Sequence, residues 1–458
     1  MIDSIYRYGL ISGFETFVKR RKTFHYWREL EESQWWPLER LQELQFARLR
    51  AQLEFCHRHS QYFRELWNAH GLQPTQLRSP ADFARWPLTS RDTMRDRANE
   101  IKITQPKTSC VSKATGGSSG APLQFIINSD ADERRVGCTF RGYSWAGASP
   151  GTRQTYLWGT PLGQRSKRSE WKEYLYQRYL YRRDFLSSFD IHQQDTVRLV
   201  KRINGYRPKI LVAYVNPVVA LARQIERQGL SVASPAAVIV GAEKLYDYQR
   251  QIIERVFAAP VFETYGSREV SLIGAECEHH RGLHLSMENL LVEIVNSDGT
   301  PTPTGEEGIV VITDLFNCAM PFIRYVIGDR AVAGFQSCPC GRGLPLLQQV
   351  VGRQVDMLVM GDGLQLAGEF FPHLLKDYAA IRQFQVIQKQ RSLLEIRLVV
   401  DKHWTNEARQ NLNGQLKRSI GSSTEWIVSE VDSIPLTPAG KFRVVIGYQP
   451  QQNSAARI

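Results

Sequence analysis

In "PLERLQELQFARLRAQLEFCHRH" apolar residues recur at helical spacing, with Phe46, Leu49, Leu53 and Cys56 on one side. That pattern predicts helix across 27–70, within a helical segment covering about the first hundred residues. From about residue 100 the pattern changes. Short apolar runs ("LQFII", "TYLWG", "KILVAYV", "AAVIVG", "GIVVITD") alternate with amphipathic stretches such as "NPVVALARQIERQG" and "YDYQRQIIERVF". Alternating strand and helix signals predict an α/β protein with largely parallel sheets. After residue 352 a second texture begins. "DMLVM", "QFQVIQKQ", "LLEIRLVV" and "EWIVSEVDSI" read as strands, and "HLLKDYAA" and "NEARQNLNGQLKRSI" as helices. The expected organisation is a large N-terminal α/β domain over 1–352 and a small α+β domain over 353–458.

Composition narrows the field. The 458 residues are 42% hydrophobic and 10% aromatic, which supports sizeable cores and excludes wholesale disorder. Fifty-eight Lys and Arg against 46 Asp and Glu leave a formal charge of +12. Such a balance suits nucleic acid, a membrane surface or an anionic substrate. No nucleic-acid recognition motif accompanies it, so no specific nucleic-acid partner is expected. No apolar run approaches a membrane span. The N-terminus lacks a signal-peptide layout, so a reduced, cytoplasmic protein is expected. In "VKRRKTFHYWRELEESQWW" a solvated face with Trp35 and Trp36 on the core is expected; a weak membrane-surface contact through Lys19, Arg20, Arg21 and Lys22 is the competing reading. "SKRSEWKEYLYQRYLYRRDF" reads as a basic, tyrosine-rich helical insertion with a solvated face.

The chemistry starts in "KATGGSSGAP". Thr115, Gly116, Gly117, Ser118, Ser119 and Gly120 form a segment with few bulky Cβ groups, so several backbone N–H groups can converge on one anion. It lacks the spacing of a Walker loop, and alone it would read as a surface turn. Four further motifs follow in order: "ETYGSREVSLIG", "MPFIRYVIGDRA", "VVGRQVDML" and "PLTPAGKFRVV".

This ordered set resembles the adenylate-forming enzymes of the acyl-CoA synthetase type, and within them the phenylacetate–CoA ligases and their relatives in capsular polysaccharide clusters. The resemblance implies a large N-terminal domain and a small mobile C-terminal domain. It implies that ATP activates a carboxylate as an acyl-adenylate with release of pyrophosphate, and that the acyl group then passes to CoA. Transfer to an amine or hydroxyl, transfer of AMP itself, or a non-catalytic nucleotide-binding scaffold are the competing outcomes. On the same basis Thr115 to Gly120 hold the β- and γ-phosphates, and Gly241, Ala242 and Glu243 contact adenine. Tyr265 and Gly266, followed by Ser267, line the adenine and acyl sites. Glu269 binds magnesium, Asp329 takes the ribose hydroxyls, and Arg353 contacts ribose or phosphate at the hinge. Lys441 swings in on the C-terminal domain during adenylation. The bland alternatives are a helix N-terminal carboxylate for Glu269, a turn Asp after Gly328 for Asp329, and a loop lysine for Lys441. The hinge departs from the branch: Val355 stands where an Asp is usual, with Asp356 kept. The stretch "GDGLQLAGEFFP" departs as well, which bears on acceptor recognition. Relatives in this branch often form dimers.

Seven cysteines include no evenly spaced disulfide framework. Cys277 and His280 have C-x₂-H spacing, and Cys338 and Cys340 lie in "CPCGRG". Three thiolates and one imidazole would complete a closed, structural zinc site, with His279 or His284 as substitutes for His280. Similar Cys and His positions occur in relatives of the branch. Cys56, Cys110, Cys138 and Cys318 show no such pattern and are expected to be small buried residues.

Overall fold

The computed structural model describes the chain apart from Met1, 104–108, 116–122, 159–166, 188–195, Gln336, 354–357, 361–364, 367–369, 376–377, Ala379, 421–423, 436–442 and 449–458. It divides into two compact units, Met1–Val351 and Gly352–Ile458.

Helices open the first unit. Leu38–His59 buries Leu49, Leu53 and Cys56, as their spacing predicts, and Phe46 packs partly buried beside them. Covering a leucine side chain completely stabilises by about 1.5–3 kcal/mol. Ser60 ends this helix and caps the next, Gln61–Ala69, through the Phe63 N–H. The earlier helix Thr23–Ser33 lies on Ser129–Ser144 so closely that a Cβ at Gly137 would sit 3.2 Å from the Trp27 nitrogen. One expectation fails here. Trp36 is partly buried, but Trp35 is 53% exposed, and its ring is covered by the Arg342 guanidinium at 4.9 Å instead of the core.

A hairpin of β1 (Cys110–Ala114) and β2 (Gln124–Asn128) stands apart as a two-stranded sheet. Cys110, expected to be buried, is exposed because the outer strand of this hairpin has little covering it. Cys56 and Cys138 are buried and Cys318 is half-buried.

Eleven further strands make one sheet. They are β3 (Gln154–Trp158), β4 (Arg183–Ser187), β5 (Ile210–Tyr214), β6 (Ala237–Gly241), β7 (Val261–Ser267), β8 (Ser271–Glu276), β9 (Leu283–Leu285), β10 (Leu290–Val295), β11 (Glu307–Asp314), β12 (Tyr325–Ala333) and β13 (Leu346–Arg353). Their order is β10-β11-β12-β13-β9-β8-β7-β6-β5-β3-β4. From β4 to β7 the pairing is parallel, as the alternating pattern predicts. The helices Val215–Arg227 and Asp247–Phe257 supply the crossovers, and β5 and β6 are buried at every residue, which explains their unbroken apolar runs. Beyond β7 the pairs β7–β8, β8–β9, β9–β13, β10–β11 and β11–β12 are antiparallel, so the expectation of largely parallel sheets holds for one half only.

The second unit has a four-stranded sheet in the order Glu425–Glu430, Leu393–Val400, Ile381–Gln390, Val445–Ile446. The helix Asn406–Ile420 packs Leu412, Leu416 and Ile420 with Val386, Leu394 and Ile396.

Candidate functional site

The β1–β2 hairpin closes the base of the glycine-rich loop. Thr115 donates its N–H to the Leu123 carbonyl at 3.0 Å. Its hydroxyl accepts from the Leu123 N–H at 2.9 Å and from Arg91 Nη2 at 2.6 Å. Gly116, Gly117, Ser118, Ser119 and Gly120 lie outside the described residues, so only the anchor of the loop is seen.

That anchor touches the β7–β8 turn. Arg268 donates to the Ala114 carbonyl at 2.9 Å. The next residue, Glu269, is buried and accepts from the Tyr325 hydroxyl at 3.4 Å. Glu269 therefore sits in a tight turn between antiparallel strands, not at a helix N-terminus. The turn needs Gly266, because a Cβ there would lie 2.5 Å from the Ser271 carbonyl oxygen. Ser267 takes the Val270 N–H on its hydroxyl at 3.3 Å.

Tyr265, one strand residue back, donates from its hydroxyl to Asp329 Oδ2 at 2.8 Å. Asp329 is buried within β12, not in a surface turn. The β11–β12 register shifts between Ile309 and Val311, and Gly328 takes a φ of +87° opposite that irregularity. A bulge of this kind re-aims the following side chain. Gly241, at the end of β6, would clash with the Thr264 hydroxyl at 2.5 Å if it carried a Cβ. Ala242 follows with a left-handed φ of 67°, and Glu243 accepts the Asn216 N–H at 2.7 Å.

Hydrogen bonds and strand pairing thus link Thr115, Glu269, Asp329, Tyr265 and Gly241 along one end of the sheet. The backbone of Arg353 ends β13. Val355, Asp356 and Lys441 lie outside the described residues. Arg91, Arg268 and Tyr325 join the cluster without a sequence signal strong enough to single them out; Arg268 and Tyr325 stood inside motifs, in "TYGSREV" and "IRYVIGD", but Arg91 stood in none. The motif's arginine, Arg324, is structural. It is buried, and its guanidinium is bonded to the carbonyls of Ala84, Trp86 and Gly299 and paired with Glu293.

A pair of ionisable groups lies on β7 and just past the end of β6. Glu263 on β7 is pushed up to about 7, first by burial and then by Glu276. Lys244 is pushed down to about 8 by burial, against the pull of Glu263.

The thiols form a second cluster. The ligand atoms of Cys277, His284, Cys338 and Cys340 all lie within 4.8 Å of one another. Cys277 and Cys338 are 3.7 Å apart at sulfur, and Cys340 Sγ is 3.3 Å from His284 Nε2. The His284 Nδ1 bonds the Leu344 carbonyl at 3.0 Å, which as a donor leaves Nε2 as the ligand atom. Burial pushes His284 down to about 4, so its imidazole is neutral, as a ligand must be. Burial pushes the Cys277 thiol up to about 12. At Cys340 burial acts in the same direction, but the Arg342 N–H and guanidinium outweigh it and lower the thiol. The donor set fits a zinc ion.

His280, expected as the fourth ligand, is not in the cluster. It lies in the turn after β8 with a φ of 49°, and its ring turns to Glu276 at 3.1 Å and to Phe262. His284 replaces it because it faces Ala275 across the β8–β9 ladder and so reaches Cys277, just past the end of β8.

The second unit matches the family model of the CapK C-terminal domain over residues 358–447. Across most of its length the chain is 23% identical to the phenylacetate-coenzyme A ligase of Thermus thermophilus, covering 90% of this chain and 97% of that one. It is 24% identical to Protein CapK of Staphylococcus aureus, covering 94% of each. Among solved structures, 2-hydroxyisobutyryl-CoA ligase in its postadenylation state superposes with a TM-score of 0.75 at 19% identity, covering 92% of both chains. The fold is that of the adenylate-forming enzymes. Within it the chain is similar in sequence to the phenylacetate–CoA ligases and to CapK, and its second unit matches the CapK C-terminal model.

Proposed function

We propose that the chain activates a carboxylic acid with ATP and passes the acyl group to CoA. A carboxylate oxygen bonds to the α-phosphorus while the bond to the bridging oxygen of pyrophosphate breaks. The CoA thiol then attacks the acyl carbon, and AMP leaves. The observation that carries this reading is the linkage of Thr115, Glu269, Asp329 and Tyr265 at one end of the sheet. Likeness to CoA ligases over nine-tenths of the chain, in sequence and in fold, supports it.

In this reading the protein's task is to position and neutralise phosphate oxygens. Thr115, fixed by Arg91, anchors the loop whose residues 116–120 take the β- and γ-phosphates. Asp329 accepts from the ribose hydroxyls, held in place by the Tyr265 hydroxyl. Gly241, Ala242 and Glu243 border adenine, with Tyr265, Gly266 and Ser267 beside the acyl group. Glu269 holds magnesium, which when bound neutralises charge on the phosphates. Arg353 contacts ribose or phosphate, and Lys441 acts on the α-phosphate during adenylation. Cys277, His284, Cys338 and Cys340 hold a structural zinc that ties the β8–β9 connection to the 338–341 turn.

The test is ATP–pyrophosphate exchange against pooled carboxylic acids, followed by product analysis with CoA. Acid-dependent exchange and a thioester are expected. Exchange without a thioester would move the acceptor to an amine or hydroxyl. No exchange with any pool, alongside measurable ATP binding, would leave a nucleotide-binding scaffold.

A further inference from the structure

The chain's positive charge is not spread evenly. Segments 1–22 and 165–183 together hold twelve Lys and Arg against four acids, and so supply +8 of the +12. These two segments meet in space. The Phe14 ring packs 5.3 Å from Tyr176, and the Lys19 ammonium lies 5.7 Å and 5.8 Å from those two rings. The Tyr181 hydroxyl bonds the Glu15 carboxylate, which Arg21 also approaches. Glu15 is buried by these contacts, so one of the four acids is withdrawn from the surface.

What borders the junction is apolar and open. Phe17 is 81% exposed, Val18 67%, Trp171 66% and Tyr179 64%. Lys19, Arg20, Arg21, Lys22 and Lys172 stand exposed among them. Large aromatic and aliphatic side chains at such exposure cost solubility unless something covers them. No described helix is long and apolar enough to cross a membrane.

We propose that this face docks on the surface of an anionic phospholipid bilayer. Trp and Tyr suit the headgroup level, Phe17 and Val18 the acyl boundary, and the basic residues the lipid phosphates. A nucleic acid would use the cations and the rings but gains little from Val18, Leu175 or the aliphatic Ile5 and Leu10, which are exposed as well. The face lies outside the adenylate-site cluster, so the proposal stands or falls independently of the activity.

Flotation of the full chain with vesicles tests it. Vesicles of phosphatidylcholine alone would be compared with vesicles that also contain phosphatidylglycerol. Binding to the anionic vesicles is expected, weakening as salt is raised to about 0.5 M. Lys19→Glu with Arg20→Glu should lower the bound fraction about tenfold or more. Phe17→Ser with Trp171→Ser should lower it at constant charge. Circular dichroism and melting of both variants confirm that they fold. Absence of flotation, equal flotation on neutral vesicles, or indifference to both pairs of substitutions would overturn the proposal. So would tighter binding to RNA at the same salt, or a vesicle-free dimer that Phe17→Ser dissolves.

Discussion

At one end of β8 the turn residues Arg268 and Glu269 reach other strands and the hairpin through single hydrogen bonds, the Tyr325–Glu269 contact as long as 3.4 Å. Just past the other end, Cys277 meets His284, Cys338 and Cys340, with every donor atom facing the rest. Six residues of strand separate the two groups, about 20 Å of backbone. The first arrangement holds charged and polar groups in place yet leaves them loosely committed, which suits groups that must exchange partners with a ligand. The second is closed on itself, with its imidazole fixed by the Leu344 carbonyl. Closure of that kind supports a structural ion, because no position is left for substrate. In the proposed reading the same strand serves chemistry at one end and cohesion at the other.

The largest effect that would break this division is on rate. Glu269→Gln and Lys441→Ala should each lower the adenylation half-reaction by about a hundredfold or more, with ATP binding largely kept and the melting temperature unchanged. Pyrophosphate exchange and thermal melting read the two sides separately. If Glu269→Gln melted early while turning over normally, the turn would be a structural element and the assignment of roles to the two ends would be reversed.

The second effect concerns the closed end and sharpens it. Metal analysis should find about one zinc per chain, lost in Cys277→Ser and in His284→Ala and retained in His280→Ala. The melting temperature of the first two should fall by roughly 1–2 °C for each kcal/mol of binding free energy lost. Their rate per folded molecule should stay near that of the unchanged chain. Loss of zinc in His280→Ala with retention in His284→Ala would contradict the geometry.

The sequence made the two ends legible to different depths, for physical reasons. Period and run length revealed β5 and β6, because strands buried on both faces have no polar residue to break the pattern. The antiparallel half was less visible as such, since a short strand such as Leu283–Leu285 carries a histidine in a run too brief for periodicity. The motif residues were legible, yet their supports were not. Arg91 reaches Thr115 from 24 positions away in the chain, and nothing local to either residue encodes that bond. Among the histidines, spacing favoured His280 by its nearness to Cys277. Ladder register decided for His284, and register is a property of two strands together. Trp35 misled in the same way: a tryptophan pair beside a helix reads as core, but an arginine 307 positions later covers Trp35.

Opposite Glu276, at the thiol end of β8, lies Glu263 on β7, whose N–H donates to Glu276 Oε2 at 2.7 Å. It provides the smallest and most selective test, because it belongs to neither cluster. Folded, Glu263 keeps its proton up to about 7, chiefly through burial. An unfolded carboxyl gives up its proton near about 4.3. Between those values the folded chain binds more protons than the unfolded one, so this group's contribution to stability is full on the acid side and is lost as pH rises towards 7. Lys244 acts in another window. Its depressed value of about 8 makes the folded chain bind fewer protons than the unfolded one at higher pH, so stability gains there with rising pH. Glu263→Gln should therefore flatten the acid-side slope by up to about 1.4 kcal/mol per pH unit, and leave the alkaline side less affected. Denaturant melts of the chain and of Glu263→Gln at matched pH values would measure it. A slope unchanged by the substitution would mean that Glu263 is solvated enough to ionise normally, and the β7–β8 pairing at Glu276 would then carry no proton-linked strain of its own.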